Sequence, residues 1–236
     1  MQKLRGVSYF MRNKKRYIFL NKNPSFKFHW KYARPQLRDR FFQSGAVDSH
    51  YFLQDLWAAK WLYDRQIHYH VDIGSRLDGF IAHILVFCQV IYIDIRSVSL
   101  KIDNCKFQQG SILDMPFEDR SIHSLSCLHV LEHIGLGRYG DPVNPDGYLR
   151  AASELSRVLA PGGTLLMATP VGLEKLYYDA HRVFNPNTVV AAFSKLHLEE
   201  FHLINDSGKN ITYNATFEEA EACHYGCGLF VFKYLK

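Results

Sequence analysis

The 236-residue sequence predicts an α/β domain around a mostly parallel sheet, and three observations carry that prediction. Short apolar segments alternate with helical patterns from about residue 70 onward, the signature of βαβ units. A glycine, Gly74, follows the first such segment, and an acid, Asp94, closes the second. A Pro161-Gly162-Gly163 stop then separates a helical stretch from the next apolar run.

The elements follow in chain order. Residues 1–48 are basic and aromatic, show no clean period and contain the turn formers Asn21, Asn23, Pro24 and Pro35, so they read as an extension to a domain over 49–236. From Ser49, placed as a helix cap, Phe52, Leu56, Ala59 and Leu62 recur at spacings of three and four through Arg65. Val71–Ile73 ends a first strand, 79–87 reads as a buried helix, and Val90–Asp94 and Cys105–Gln109 are the second and third strands. Ile122–Leu128 is the fourth strand, followed by a helix over Tyr148–Leu159 whose stripe is Leu149, Ala152, Leu155 and Leu159. Thr164–Thr169, Leu198–Asn205 and Gly228–Leu235 complete seven strands, with a helix over Asn187–Leu196. Ligands of such sheets bind at the carboxyl ends of the strands.

Composition narrows the class. Hydrophobic residues make up 47% of the chain and mean hydropathy is −0.17, values of a folded globular protein with length enough for a core. No apolar run approaches the roughly 20 residues that span a bilayer, and Tyr17-Ile18-Phe19-Leu20 is too short for a signal peptide. Five cysteines without framework spacing suggest free thiols in a reducing cytoplasm. Residues 1–40 hold 12 Lys and Arg against Asp39 alone, whereas the remainder is net acidic. A basic arm on an acidic body suggests an anionic partner, nucleic acid, a membrane surface or a phosphorylated substrate, with a solvated arm as the competing reading.

Asp72-Ile73-Gly74-Ser75-Arg76-Leu77-Asp78-Gly79 occupies a strand-to-helix junction, where glycine lets backbone N–H groups approach a ligand. A dinucleotide fingerprint needs glycine at 74, 76 and 79, but Arg76 takes the middle position, which disfavours NAD and FAD. Asp94, 20 residues after Gly74, has the spacing of an acid that accepts hydrogen bonds from ribose hydroxyls.

Gly110-Ser111-Ile112-Leu113-Asp114-Met115-Pro116-Phe117 resembles the adenine-flanking segment of class I S-adenosylmethionine (SAM)-dependent methyltransferases, with Ser111 where an Asp is usual. The whole run from Val71 to Pro170 resembles that superfamily, including Glu132-His133 and Arg157-Val158-Leu159-Ala160-Pro161-Gly162-Gly163. Three segments, 50–59, 72–80 and 135–142, resemble an uncharacterised bacterial branch catalogued as domain of unknown function family 268. The resemblance implies a Rossmann-like sheet with helices on both faces, an antiparallel last strand and SAM as cofactor. It puts Asp72, Gly74 and Ser75 at the methionine end, Asp94 at the ribose, and Ser111 and Ile112 near the adenine, with Ile95 and Leu128 completing the cofactor set.

His129-Val130-Leu131-Glu132-His133 also spells H-x-x-E-H, an inverted zinc-protease signature. Gly135 and Gly137 follow too soon for a metal-bearing helix and no third ligand stands out, so no metal is expected. Glu132 and His133 are instead candidates for the acceptor pocket, against a packed His and a capping Glu. Arg138, Tyr139 and Asp141 in the next loop are candidates for substrate binding, against an ordinary turn. His133 is the first candidate base and His181, in Asp179-Ala180-His181-Arg182, the second. Cys223-His224-Tyr225-Gly226-Cys227 lacks further metal ligands.

The expected function is therefore methyl transfer from SAM to an O or N of a small molecule or saccharide. Nucleic-acid methylation through the basic arm, and SAM binding without catalysis, are the alternatives. The expected location is cytoplasmic or peripheral to a membrane, and the oligomeric state stays open.

Overall fold

The computed structural model describes residues 2–42 and 49–235, and the chain forms two compact units, Met1–Val47 and Asp48–Lys236. The boundary expected at residue 48 falls outside the described residues.

The first unit is more regular than its sequence suggests. Helix α1 (Gln2–Leu20) runs through Lys, Arg and Met without a proline, and stops ahead of Asn23-Pro24. The Asn23 side chain caps a 3₁₀ turn, Pro24–Phe26, by accepting from Ser25 N–H at 2.9 Å. Two further turns, Trp30–Tyr32 and Asp39–Phe41, lie along the helix. Gly6 permits the closest approach, since a Cβ there would meet the Leu37 carbonyl oxygen at 2.0 Å. Aromatics on several sides of α1 hide its period from a sequence count.

The second unit begins with α2 (Ser49–Asp64), β1 (Tyr69–Ile73), a π turn Leu77–Ile81 leading into α3 (Ala82–Ile84), and β2 (Gln89–Asp94). It continues with β3 (Cys105–Gln109), β4 (Ile122–Leu128), α4 (Gly147–Val158), β5 (Leu159–Val171), β6 (Lys175–Tyr177), β7 (His181–Val183) and α5 (Pro186–Ala192). β8 (His197–Ile204), β9 (Ile211–Thr212), α6 (Phe217–Glu221) and β10 (Gly226–Lys233) complete it. The main sheet has the order β3-β2-β1-β4-β5-β10-β8-β9. β1 to β5 pair in parallel, and β10 runs antiparallel between β5 and β8.

The sheet thus has eight strands rather than seven. β9 is a two-residue edge strand, too short to leave an alternating pattern, and β6 with β7 forms a separate hairpin. The Pro161-Gly162-Gly163 stop sits inside β5 instead of before it. Ile122 pairs with Leu159 and Ser124 with Thr164, so the intervening residues bulge out and bond to Tyr234. In α2 the expected stripe is half right: Ala59 and Leu62 are buried, but Phe52 and Leu56 are exposed. The buried face also carries Asp55, Trp57 and Trp61, and a polar residue there breaks the apolar count.

Two cores flank the sheet. The two-residue period of β10 sends Leu229 and Val231 to the side of α2 and Phe230 and Phe232 to the side of α4 and α5. All five cysteines are free thiols. Among the described residues no helix is long and apolar enough to cross a membrane.

Candidate active site

A cleft opens at the carboxyl ends of β1, β2 and β4, with a volume of about 650 Å³ counted out to open solvent. Gly74 turns the chain at its floor with φ +68°, and its N–H donates to Ile93 O at 2.8 Å. A Cβ at Gly74 would reach the Val130 side chain at 3.1 Å, so the absent side chain keeps this strand end open. Of the residues expected at a cofactor, Gly74, Asp94, Ile95, Ser111 and Ile112 line this cleft.

Asp72, Ser75 and Leu128 lie outside its lining. Asp72 is fully buried and its oxygens are occupied: Ser75 donates from its N–H at 3.0 Å and its hydroxyl at 2.6 Å, and the Ser126 hydroxyl donates as well. Ser126 in turn accepts from His70 Nε2–H at 2.8 Å, and Ser124 donates to His70 Nδ1 at 2.7 Å, a proton assignment that the network dictates. Burial pushes the Asp72 carboxyl up to about 7, against its hydrogen bonds, and pushes His70 down to about 3. These residues hold the Gly74 turn from beneath.

Asp94 lies in the cleft wall. Its carboxylate accepts from Arg96 N–H at 2.8 Å, Nε at 2.9 Å and Nη2 at 2.7 Å, and from the Tyr92 hydroxyl at 3.1 Å. Burial opposes its ionisation, but the Arg96 bonds outweigh it and hold the carboxyl below the usual range. Arg96 also lies 4.9 Å from the Tyr139 ring centroid, so it bridges the Asp94 wall and the loop across the cleft. Sequence reasoning missed Arg96, although its place two residues after Asp94 is a signal for such a chelate.

The opposite wall follows β4. Leu131–His133 is one 3₁₀ turn, so His129 and His133 do not share a helix face as the protease motif requires. Both turn to Glu132: His129 Nδ1 lies 2.8 Å and His133 Nε2 3.7 Å from Oε1. Burial disfavours both charges of the His129–Glu132 pair, yet each partner holds the other ionised, His129 well above the usual imidazole range and Glu132 below the carboxylate range. His129 lines the cleft beside His133, a place the sequence did not assign to it. Among the described residues no group of three or more His, Cys, Asp or Glu is arranged so that it could hold a metal ion.

The remaining candidates divide. His133, Tyr139 and Asp141 border the cleft, whereas Glu132, Arg138 and His181 do not. Glu132 is sealed beneath the wall, its other oxygen taken by Thr169 at 3.3 Å. Arg138 donates to Ala180 O at 3.0 Å from an exposed position. Asp141 closes its own loop, accepting from the N–H groups of Gly135 at 2.6 Å and Tyr139 at 3.3 Å. His181 packs on Tyr177 and Tyr225, and burial lowers its basicity. His133 Nδ1–H donates to Ala180 O at 2.7 Å, which leaves the Nε2 lone pair available in the neutral ring.

The solved structures that resemble this chain place the architecture. A 1,6-didemethyltoxoflavin-N1-methyltransferase from Burkholderia thailandensis, determined with S-adenosylhomocysteine, has a TM-score of 0.57 at 12% identity, over 78% of this chain and 80% of its own. The N-methyltransferase NodS from Bradyrhizobium japonicum, also with S-adenosylhomocysteine, has a TM-score of 0.52 at 16% identity, over 95% and 98%. The fold is the Rossmann-like fold of these methyltransferases. A third, the [4+2]-cyclase SpnF, matches at TM-score 0.56 and 11% identity over 76% and 81%, so the likeness establishes the fold and not the reaction. The family described as Caenorhabditis protein of unknown function, DUF268, matches residues 119–198. Its description corrects the bacterial attribution, and of the three segments that suggested it only 135–142 lies within the match. No curated protein matches the sequence.

Proposed function

We propose that the chain is a SAM-dependent methyltransferase that acts on an O or N of a small molecule or saccharide. The observation that carries the reading is the cleft itself, in which Gly74, Asp94 and the Ser111-Ile112 pair meet at the carboxyl ends of β1 to β3. The donor set fits SAM. Ile73, Ile93, Ile112 and Leu113 offer apolar walls to a base, and Asp94 offers a carboxylate to a ribose diol. Arg76, paired with Asp78 at 2.9 Å, leaves no glycine cradle for a pyrophosphate. The N-methyltransferases that share the fold hold the demethylated cofactor, which adds support.

When bound, SAM supplies an electrophilic methyl on a sulfonium, and the protein's part is alignment and proton removal. Asp94 would hold the ribose hydroxyls with the carboxylate that now accepts from Arg96. His133 serves an acceptor hydroxyl or ammonium as base through Nε2, since Nδ1–H is fixed on Ala180 O. The imidazolium so formed faces Glu132 at 3.7 Å, which stabilises its charge. The Tyr139 ring, 5.4 Å from His133, gives the acceptor a flat apolar wall.

Calorimetry with SAM, S-adenosylhomocysteine and NAD tests the cofactor reading: the first two bind and NAD does not. NAD binding without SAM binding overturns it. A labelled-methyl screen on small-molecule and saccharide fractions then tests the acceptor class.

A further inference from the structure

We propose that α1 is an interfacial helix that lays the chain on an anionic lipid surface. Two faces of this helix have different uses. One packs within its own unit: Gly6 sits against Leu37, Phe10 faces Trp30 at 6.2 Å, and the Tyr17 hydroxyl donates to Phe26 O at 2.8 Å. On the other side Leu4, Val7, Met11 and Ile18 are exposed, Leu4 by 78%. At 100° per residue these four side chains fall within an arc of roughly 60°.

The charges complete the pattern. α1 carries six Lys and Arg and no acidic residue. Lys3 and Lys14 flank the aliphatic stripe on one side and Lys15 on the other, so cations straddle a row of apolar side chains. A helix built this way lies in the headgroup plane, apolar face down, with its cations level with lipid phosphates. Trp30 and Tyr32, exposed in the same unit, are residue types that settle at membrane interfaces. α1 is too polar to cross the bilayer.

A nucleic acid would account for the cations and, through stacking, for the exposed aromatics. It gives no partner to Leu4, Val7, Met11 and Ile18, whereas a bilayer gives a partner to both sets. The observations therefore favour the lipid surface. This inference stands apart from the methyltransferase reading.

The test is flotation of the full chain with phosphatidylcholine vesicles, with and without about 30% phosphatidylserine, at low and high salt. Each basic residue near an anionic surface contributes about fivefold, so binding should be at least tenfold stronger with phosphatidylserine and weaken in high salt. Leu4→Asp/Ile18→Asp should abolish it, with the circular dichroism and unfolding of the body unchanged because both side chains are exposed. Leu4→Gln/Ile18→Gln, which keeps helix propensity, should weaken it in the same direction. The proposal is overturned by no binding to anionic vesicles, by binding that both double variants leave intact, or by oligonucleotide binding in a chain that ignores vesicles.

Discussion

The two walls of the cleft are made in different ways. The wall from β1 to β3 consists of strand ends: Gly74 directly follows β1 and Asp94 is the last residue of β2, strands whose pairing fixes them. The wall after β4 consists of loops that tie one another down. His133 and Arg138 both donate to Ala180 O, while Arg182 donates to Ile134 O at 2.7 Å and Pro145 O at 3.1 Å. One wall leaves its functional groups at the surface of a rigid frame. The other uses most of its polar side chains to hold backbone, and few remain for chemistry. A polar residue near an active site is therefore a weak catalytic candidate until its hydrogen bonds have been counted.

The comparison can be broken where it is most exposed. His133→Ala should bind SAM almost normally yet lose turnover by about 10²–10⁴-fold, measured in single turnovers on the acceptor that the screen identifies. Full activity in His133→Ala with a dead His181→Ala would move the base to the β6–β7 hairpin. Glu132→Gln leaves His129 charged and buried without its partner, and should cost about 3–5 kcal/mol in denaturant unfolding. A loss below about 1 kcal/mol would show that the pair is not ionised.

Smaller effects sharpen the picture. Asp94→Ala should weaken SAM by about 1.5–3 kcal/mol, roughly tenfold to a hundredfold in Kd, with the fold intact. Asp141→Ala frees the N–H groups of Gly135 and Tyr139 and should lower stability by about 1–3 kcal/mol, with less effect on Kd than Asp94→Ala. Calorimetry and unfolding of both variants separate a ligand-facing carboxylate from a loop-closing one. The subtlest test uses pH. Burial raises the Asp72 carboxyl from 3.8 to about 7, so the native state binds that proton more tightly than the unfolded chain does. Its contribution is complete below about pH 4 and is lost as pH rises through about 7. The stability of Asp72→Asn relative to the natural chain should therefore climb between about pH 4 and 7 and level off above, and a flat difference across that window would refute the raised value.

The same division explains what could be read from the sequence. Gly74 and Asp94 were legible because strand ends impose a spacing that survives in one dimension, and Ser111-Ile112 because their segment resembles the adenine-flanking one of class I methyltransferases. Arg96 was legible in principle, since its chelate spans two residues. The links from His133 and Arg138 to Ala180 span 47 and 42 residues and leave no local pattern. Asp72 was ambiguous for another reason: a carboxylate before the glycine suits a ligand as well as it suits Ser75 and Ser126, and its burial leaves no mark in the sequence. Strands of five or more residues were found to within a few positions, while β6, β7 and β9, with three residues or fewer, left no period to detect.

The position of β10 bears on how the molecule is made. This last strand inserts between β5 and β8, and seven of its eight residues are buried. During synthesis, the facing edges of β5 and β8 must therefore wait with open hydrogen-bonding groups until β10 leaves the ribosome. A nascent chain stalled in that interval carries two unpaired sheet edges above an unfinished core, which makes it a natural client for chaperones.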